Sequence, residues 1–469
     1  MRKYIILGTC LAISGCASDD GSGSGDSTKQ STVVIGAILP DTGLNANPYM
    51  LQAAEMAFEQ FNEALAGTSA SRGLRFKLEK RDDQSEATTV KPLATELLGL
   101  GSPVLVTATS VTSMTVNNMN YVADSPAKVP VVCGSCTNMN LNNPDAAPTP
   151  ATDAPGYQDL DNWLRRTTIT ASRHAETMFR DMFSRGSEGD GDLDGDGTVN
   201  VSIIAGDDRV AYTGELRSAQ HPPNPDIVDY ELLGVNPNTD PNTIDFAGLV
   251  AGAFDRVNAD DPSKPKGPPD FIVNWVLPTL AVGVAKAYKQ AGYTVPMLNS
   301  SSFRRAAILQ TLGTMAEGQE GVSNLCWTAD ASGDNFAKAF AEETGADPAG
   351  YDSSVYDSMV VALLGTVKAA LALDDPSKVT GPDVNVTLDQ INDPAGTVVR
   401  TGTEEFKRAI EAIAAGKAIN YEGASGPCDF DSVGNVKGDI AVYKVQNGKF
   451  VELRTYACTK DDACPLATK

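Results

Sequence analysis

The stretch Thr32-Val33-Val34-Ile35-Gly36-Ala37-Ile38-Leu39 is apolar at nearly every position. It lacks the alternation of a strand that shows one face to water, and such a continuous run is what a parallel strand buried on both faces requires. Pro40-Asp41-Thr42-Gly43 ends it. Asn47-Pro48 then offers an N-cap followed by a proline at the first helical position, and Leu51, Ala54, Ala57, Phe58, Phe61, Ala64 and Leu65 recur at helical spacing. The unit repeats, with strands expected at 74–78, 104–106 and 129–132 and helices at 88–98 and about 113–122. Residues 138–160, rich in Asn, Pro, Ala and Asp, read as a surface excursion, after which the rhythm restarts. Helices are expected at 173–183, after Tyr212 and at 279–291, and strands at 199–205, 271–274 and 295–298. Beyond Thr328 the pattern is mainly helical (335–344, 353–373, 404–415), and the chain closes on a hairpin, 440–445 with 450–456, turning through Gln446-Asn447-Gly448. The strand–helix alternation predicts an α/β fold with parallel sheets.

A chain of 469 residues, 42% hydrophobic and 21% charged, can bury several cores and is not disordered as a whole. Its formal charge of −23 repels nucleic acid and anionic membrane, which excludes both as natural partners. Two histidines, His174 and His221, argue against His-rich zinc sites. There is no H-E-x-x-H, P-loop or G-x-S-x-G pattern, so no enzymatic activity is expected.

The N-terminus reads as an address. Arg2 and Lys3 precede an apolar run from Tyr4 to Ile13, too short to span a bilayer, and Ile13-Ser14-Gly15-Cys16 ends it in small residues before a cysteine. The pattern resembles a bacterial lipobox, which implies cleavage after residue 15 and lipid on Cys16. Residues 16–31 form a Gly/Ser tether. No later run reads as apolar long enough to cross a membrane. The expected location is the periplasm or cell surface, anchored by lipid to a bacterial membrane.

Of eight cysteines, Cys10 falls in the leader and Cys16 carries the lipid. The remaining six, in an exported chain, read as disulfides. Spacing suggests Cys133–Cys136 and Cys458–Cys464, with Cys326–Cys428 left by elimination among fifteen possible connectivities. A redox role for the Cys133/Cys136 pair is the lesser reading.

In open parallel sheets ligands bind beyond the carboxyl ends of the strands. Those positions hold Pro40 to Gly43, Thr107 to Ser113 and Cys133 to Asn138 in the first half. In the second half they hold Asp207 to Tyr212, Asn274-Trp275 and Ser300 to Phe303. Hydroxyls dominate, aromatics appear in the second half, and charges are few, a set suited to a small polar or zwitterionic ligand. Each Ser or Thr could equally be a helix cap, and Trp275 could be a core residue.

Several segments, in order, resemble type I periplasmic solute-binding proteins, in particular the branched-chain amino-acid-binding subfamily of ABC transporter components. They are residues 35–43, Arg81-Asp82-Asp83-Gln84-Ser85, 129–132 with Thr137-Asn138, Arg166-Thr167, Tyr212, Glu320-Gly321, Tyr356-Asp357 and 426–431. The resemblance implies two Rossmann-like lobes joined by a three-crossing hinge near Arg166, Leu325 and Phe430. Lobe 1 would comprise 32–165 and 328–428, and lobe 2 would comprise 166–327 and 429–469. Cys326 and Cys428 would each lie at a crossing. Carried over position by position, the implied ligand contacts are Ser110, Thr112, Ser113, Ser135, Cys136, Thr137, Tyr212, Trp275 and Ser301. Two departures stand out: Ser300-Ser301-Ser302 replaces the acidic residue that holds an α-ammonium in that subfamily, and Cys133-Gly134-Ser135-Cys136 replaces its Ser-Pro pair. The implied function is a lipid-anchored protein that closes on a small polar ligand, an amino acid or similar, and presents it to an ABC permease or sensor. The alternative is a non-transport envelope regulator or scaffold on the same fold.

One motif stands apart. Asp190 to Asn200 places acids at alternate positions among glycines, and the D-x-D-x-D-G pattern of Asp192, Asp194, Asp196 and Gly197, with the Thr198 carbonyl, resembles a calcium loop. Its twelfth position is Ile203, so the bidentate Glu is missing; a solvated acidic loop is the other reading.

Overall fold

The computed structural model describes residues 30–43, 46–108, 128–137, 162–186, 189–206, 228–236, 239–256, 267–459 and 465–466. Cys16, Ser110, Thr112, Ser113, Tyr212 and Cys464 lie outside them.

The opening apolar run is strand β1 (Ser31–Leu39). It pairs in parallel with β2 (Leu74–Asp82) on one side and β3 (Leu105–Thr107) on the other. With β4 (Val131–Cys133) and β5 (Leu164–Arg166) they form a parallel sheet in the order β2-β1-β3-β4-β5. Helices α1 (Pro48–Ala66) and α2 (Ala87–Gly99) cover it. Proline opens α1 as the sequence implies, but the Asn47 side chain makes no capping bond.

The second sheet runs β14-β13-β10-β9-β8-β6-β7. Its strands are β6 (Val199–Gly206), β7 (Val228–Val235), β8 (Phe271–Trp275), β9 (Met297–Asn299), β10 (Glu320–Asn324), β13 (Ile440–Gln446) and β14 (Lys449–Tyr456). All pairs are parallel except those made by the C-terminal hairpin. Helices α3 (Ala171–Phe183), α4 (Phe246–Phe254), α5 (Pro278–Ala291) and α6 (Ala306–Leu312) belong to this lobe.

The chain then returns to the first lobe as α7 (Ala331–Thr344), α8 (Asp352–Leu371), α9 (Gly381–Leu388), α10 (Thr403–Ala414) and a two-stranded ladder, β11 (Thr397–Val399) with β12 (Ile419–Tyr421). Helix α8 corrects the sequence reading on membrane spans. It is long and apolar enough to cross a bilayer by length and composition, yet 89% of that window is buried inside the protein. It is the central strut of the first core, packed with Phe61, Phe336, Phe340 and Phe406. Each such side chain contributes on the order of 1.5–3 kcal/mol by leaving water.

Three segments join the lobes: 167–170 after β5, 325–330 after β10, and 422–439 between β12 and β13. They run side by side. The Arg166 N–H donates to the Gly434 carbonyl (2.8 Å), Leu325 N–H to Asp439 (3.2 Å), and Thr328 N–H to Ala424 (2.9 Å). Gly434 has φ +77°, and a Cβ there would lie 2.2 Å from the Leu164 carbonyl, so only glycine lets these crossings approach so closely. Arg165, 1% exposed, forks onto Asp389 through Nε (2.9 Å) and Nη2 (2.8 Å) beside them.

Cys133 and Cys136 form a disulfide, and Cys458 is disulfide-bonded. The expected Cys326–Cys428 bond is absent: both are free, buried thiols. Adjacent crossings do not bring these side chains together. Cys428 belongs to the first lobe's core with its Sγ 3.8 Å from the Gly426 carbonyl, whereas Cys326 sits in the field of Arg304, from the second lobe. Burial pushes the Cys326 thiol up to about 11.

Candidate functional site

The carboxyl ends of the parallel strands face the seam between the lobes, as the topology requires. In the first lobe, the loop after β1 is held by Asp82, which accepts the N–H groups of Asp41 (3.1 Å) and Thr42 (3.0 Å) and the Thr42 hydroxyl (2.5 Å). This explains the Arg81 to Ser85 segment: its acid fixes a loop. At the end of β3 the Thr107 hydroxyl is fully buried and has no hydrogen-bond partner among the described residues. After β4, Ser135 and Thr137 are half-buried and Cys136 is buried. Their backbone accepts from both lobes. The Thr137 carbonyl accepts the N–H of Ala171 (2.7 Å) at the start of α3, and the Cys136 carbonyl accepts from Arg166 Nη1 (3.3 Å).

In the second lobe, Trp275 is 3% exposed and packs in the core with Phe179 and Phe271. Of the two readings left open by the sequence, the core residue is the one observed. Ser301 is also buried, and its hydroxyl meets the Tyr351 hydroxyl at 2.5 Å. Tyr351 immediately precedes α8, so this bond ties the two lobes directly. Asn274, on β8, donates its side-chain Nδ2 to Asn299 (2.8 Å), and its carbonyl accepts the Ser300 N–H (3.0 Å). The Asn274 Oδ1 and the Ser300 hydroxyl remain buried without a partner among the described residues, as does the Ser353 hydroxyl in the first turn of α8.

The sequence reading missed what the start of α8 and the end of β10 contribute. Asn324 Oδ1 accepts from His174 Nε2 (2.5 Å), and its Nδ2 donates to the Thr168 hydroxyl (2.8 Å). The Thr167 hydroxyl donates to the Ser354 carbonyl (2.6 Å). Burial lowers the His174 imidazole to about 4, so it is neutral at physiological pH. A cluster Tyr351-Asp352-Ser353-Ser354 ahead of an apolar helical run was the available signal. The Tyr356-Asp357 pair lies in the first core: Asp357 accepts from the Tyr421 hydroxyl (2.7 Å) and from the N–H groups of Ala424 (2.9 Å) and Ser425 (2.7 Å).

A groove of about 1220 Å³ lies elsewhere, between Trp327 to Asp330, the turn at 346–349 and strand β14. Among the described residues, none of the sequence-derived ligand residues lines it.

In the acidic loop, one carboxylate oxygen each from Asp192, Asp194 and Asp196 lie within 4.8 Å of one another. Asp192 accepts the N–H groups of Gly195 (2.7 Å) and Gly197 (2.9 Å), and Asp196 accepts that of Thr198 (2.8 Å). Ile203, at the twelfth position, is a core residue of β6. An acid the motif could not reveal, Asp270, comes from far along the chain; it accepts from Leu193 N–H (2.7 Å) and Asn200 N–H (2.8 Å) and pins both ends of the loop. Burial raises its carboxyl, and the charges of Asp194 and Asp192 add to that. The hard oxygen donors fit a calcium ion.

No protein-family model matches the chain, and no curated protein matches it by sequence. Solved structures do match. A leucine-binding protein of Thermotoga maritima superposes with a TM-score of 0.62 at 14% identity, over 90% of this chain and 98% of the other. A branched-chain amino-acid transporter substrate-binding protein of Streptococcus pneumoniae, solved with isoleucine, gives 0.61 at 14%, over 90% and 100%. An ABC transporter solute-binding protein of R. palustris, solved with benzoate, gives 0.61 at 14%, over 93% and 98%. The fold is therefore the two-lobed type I periplasmic-binding-protein fold.

Proposed function

We propose that this protein is a lipid-anchored, extracytoplasmic solute-binding protein that closes its lobes on a small polar ligand and presents it to an ABC permease or sensor. It is not an enzyme. The observation that carries the reading is the set of buried polar atoms at the strand ends and the start of α8 that have no partner among the described residues: Thr107 Oγ1, Asn274 Oδ1, Ser300 Oγ and Ser353 Oγ. Leaving each unpaired costs about 1–3 kcal/mol, and a ligand bearing donors and acceptors relieves that cost. All four groups are neutral, which suits an amino acid or an aromatic carboxylate held by hydroxyls and amides. The fold's relatives solved with isoleucine and with benzoate support both classes.

The test is a thermal-shift screen of the chain from Ser27, with amino acids, benzoates, small amides and purines. A ligand at 100-fold over its dissociation constant adds about 2.7 kcal/mol, a visible rise in midpoint. A hit that Ser300→Ala with Asn274→Ala abolishes supports the reading. A flat screen across all classes turns the weight to the envelope regulator on the same fold. We also propose that the Asp192–Asp196 loop holds a structural calcium ion, which serves the second lobe and not the ligand.

A further inference from the structure

The two lobes also meet through a pair of turns beside the strand ends. The turn before α8, in the first lobe, seats on the turn after β9, in the second. Tyr351 and Ser301 share their hydrogen bond there. Asp347 pairs with Lys449 (2.9 Å) on the C-terminal hairpin. Gly350 has φ +55°, and a Cβ on it would stand 2.6 Å from the Arg304 carbonyl, so the two turns are in backbone contact. Asp352, 3% exposed, directly follows Tyr351 at this contact and lies in the field of Arg305 from the facing turn. One of its oxygens accepts the Ala349 N–H (2.9 Å), and the other, Oδ1, has no partner among the described residues. A carboxylate so placed is enclosed with half its hydrogen-bonding capacity unused, and this disfavours the ionised form.

We propose that this contact is a proton-operated latch: the lobes close on a protonated Asp352 and separate when it ionises. The groups that face it come from each neighbouring element. Arg305, on the turn after β9, is the nearest positive influence and favours ionisation. Cys326, on the second crossing, senses the Asp352 charge, and behind it stand Arg304, Tyr443 and Glu452. Arg304 is engaged by Glu452 (3.0 Å) and Ser323 (2.9 Å) and lies over the Tyr443 ring. Its charge is thus directed away from Asp352. The balance favours the neutral acid, and burial carries the carboxyl up to about 7 in spite of Arg305.

The sign follows. When the turns part, the group meets water and returns toward an ordinary Asp value near 3.9. Closing therefore takes up one proton over the intervening range. The preference for the closed form is complete below the open-state value and is lost as pH rises through about 7. The latch is independent of the ligand's identity, so its failure and the failure of the ligand-binding reading are separate events.

The experiment is small-angle scattering of the ligand-free chain from Ser27 between pH 5 and 8.5, at fixed ionic strength, for the wild type and Asp352→Asn. The amide is isosteric and uncharged. The expected wild-type result is a radius of gyration that rises with a single-site titration near neutrality. Asp352→Asn stays compact at every pH. Tyr351→Phe, which keeps the acid and removes the hydroxyl bridge, expands at lower pH than the wild type but still titrates. A wild type that does not change across this range overturns the proposal, as does a titration that survives unchanged in Asp352→Asn.

Discussion

The two lobes share a strand–helix plan but solve the problem of buried polarity in opposite ways. The first lobe holds its central acid, Asp357, among neutral donors: a tyrosine hydroxyl, a serine hydroxyl and two backbone amides. The second lobe uses ion pairs. Asp181, fully buried, meets Arg185 (2.7 Å) and Arg454 (2.6 Å), and Glu320 bridges Arg185 (2.9 Å) to Lys444 (3.0 Å). The carboxyls respond accordingly. Burial pushes Asp357 up to about 6 despite its Ser425 bonds. Burial also pushes Glu320 upward, but Arg185 and Lys444 outweigh it and hold the group below its ordinary value. Asp357 is thus poised to take up a proton, whereas Glu320 is held as a charge.

The largest expected effect tests the neutral cage. Asp357→Ala strands the Tyr421 hydroxyl and the amides of Ala424 and Ser425 and leaves a cavity beside α8. Its cost is about 3–5 kcal/mol, read by urea denaturation. Because the 421–428 segment begins the third crossing, hydrogen exchange there should rise with it. A loss below about 1 kcal/mol would mean the cage is incidental to the first lobe.

Next comes the second lobe's dependence on ions. Calcium at 100-fold over its dissociation constant should stabilise this lobe by about 2.7 kcal/mol, and Asp194→Ala with Asp196→Ala should remove the response. Calorimetry with and without a chelator measures it. An equal response in the double variant would place any calcium elsewhere.

How much of this was legible in the sequence depended on whether the signal was local. Residues 32–39 and 48–65 announce strand and helix because burial on both faces, or on one, writes its period into neighbouring residues. β1 and α1 appear within a residue or two of where they were expected. β5, β7, β10, β11 and β12 went unrecognised as strands: four of them have only three to five residues, too few to carry a pattern, with pairing set by distant partners, and the eight-residue β7 is an edge strand that pairs only with β6. The three crossings were readable only through the family resemblance. At the seam, Ser301 looked like a free contact because nothing local shows that Tyr351 covers it. Asp270 and Asp352 were invisible for the same reason: each is defined by segments distant in sequence. The Cys326–Cys428 pairing rested on counting, and counting does not report where a side chain points.

The smallest effect, and the sharpest test of the contrast, is the response of each lobe to mild acid. In the first lobe, burial raises Asp357 to about 6 and also raises Asp83, with a contribution from Asp82, to about 6. Raised acids bind protons more tightly in the folded state, so they add stability as pH falls from 7 toward their unfolded value. From pH 7 to pH 5 each contributes roughly 1 kcal/mol. In the second lobe His174 runs the other way. Burial lowers it to about 4, opposed by its bond to Asn324. The unfolded chain takes up the proton first, so stability present above about 6.5 is lost below it, on the order of 2 kcal/mol by pH 5. Glu320, held low, adds a loss at more acid pH. Trp163, in the first lobe's core, and Trp275, in the second lobe's, serve as reporters once the other tryptophans are changed to Phe. Urea melts at pH 5 and pH 7 should then diverge, with the Trp163 midpoint higher at pH 5 and the Trp275 midpoint lower. His174→Gln should abolish most of the second shift and leave the first. If the two midpoints move together, the lobes unfold as one unit and the contrast between their buried acids has no separate consequence for stability.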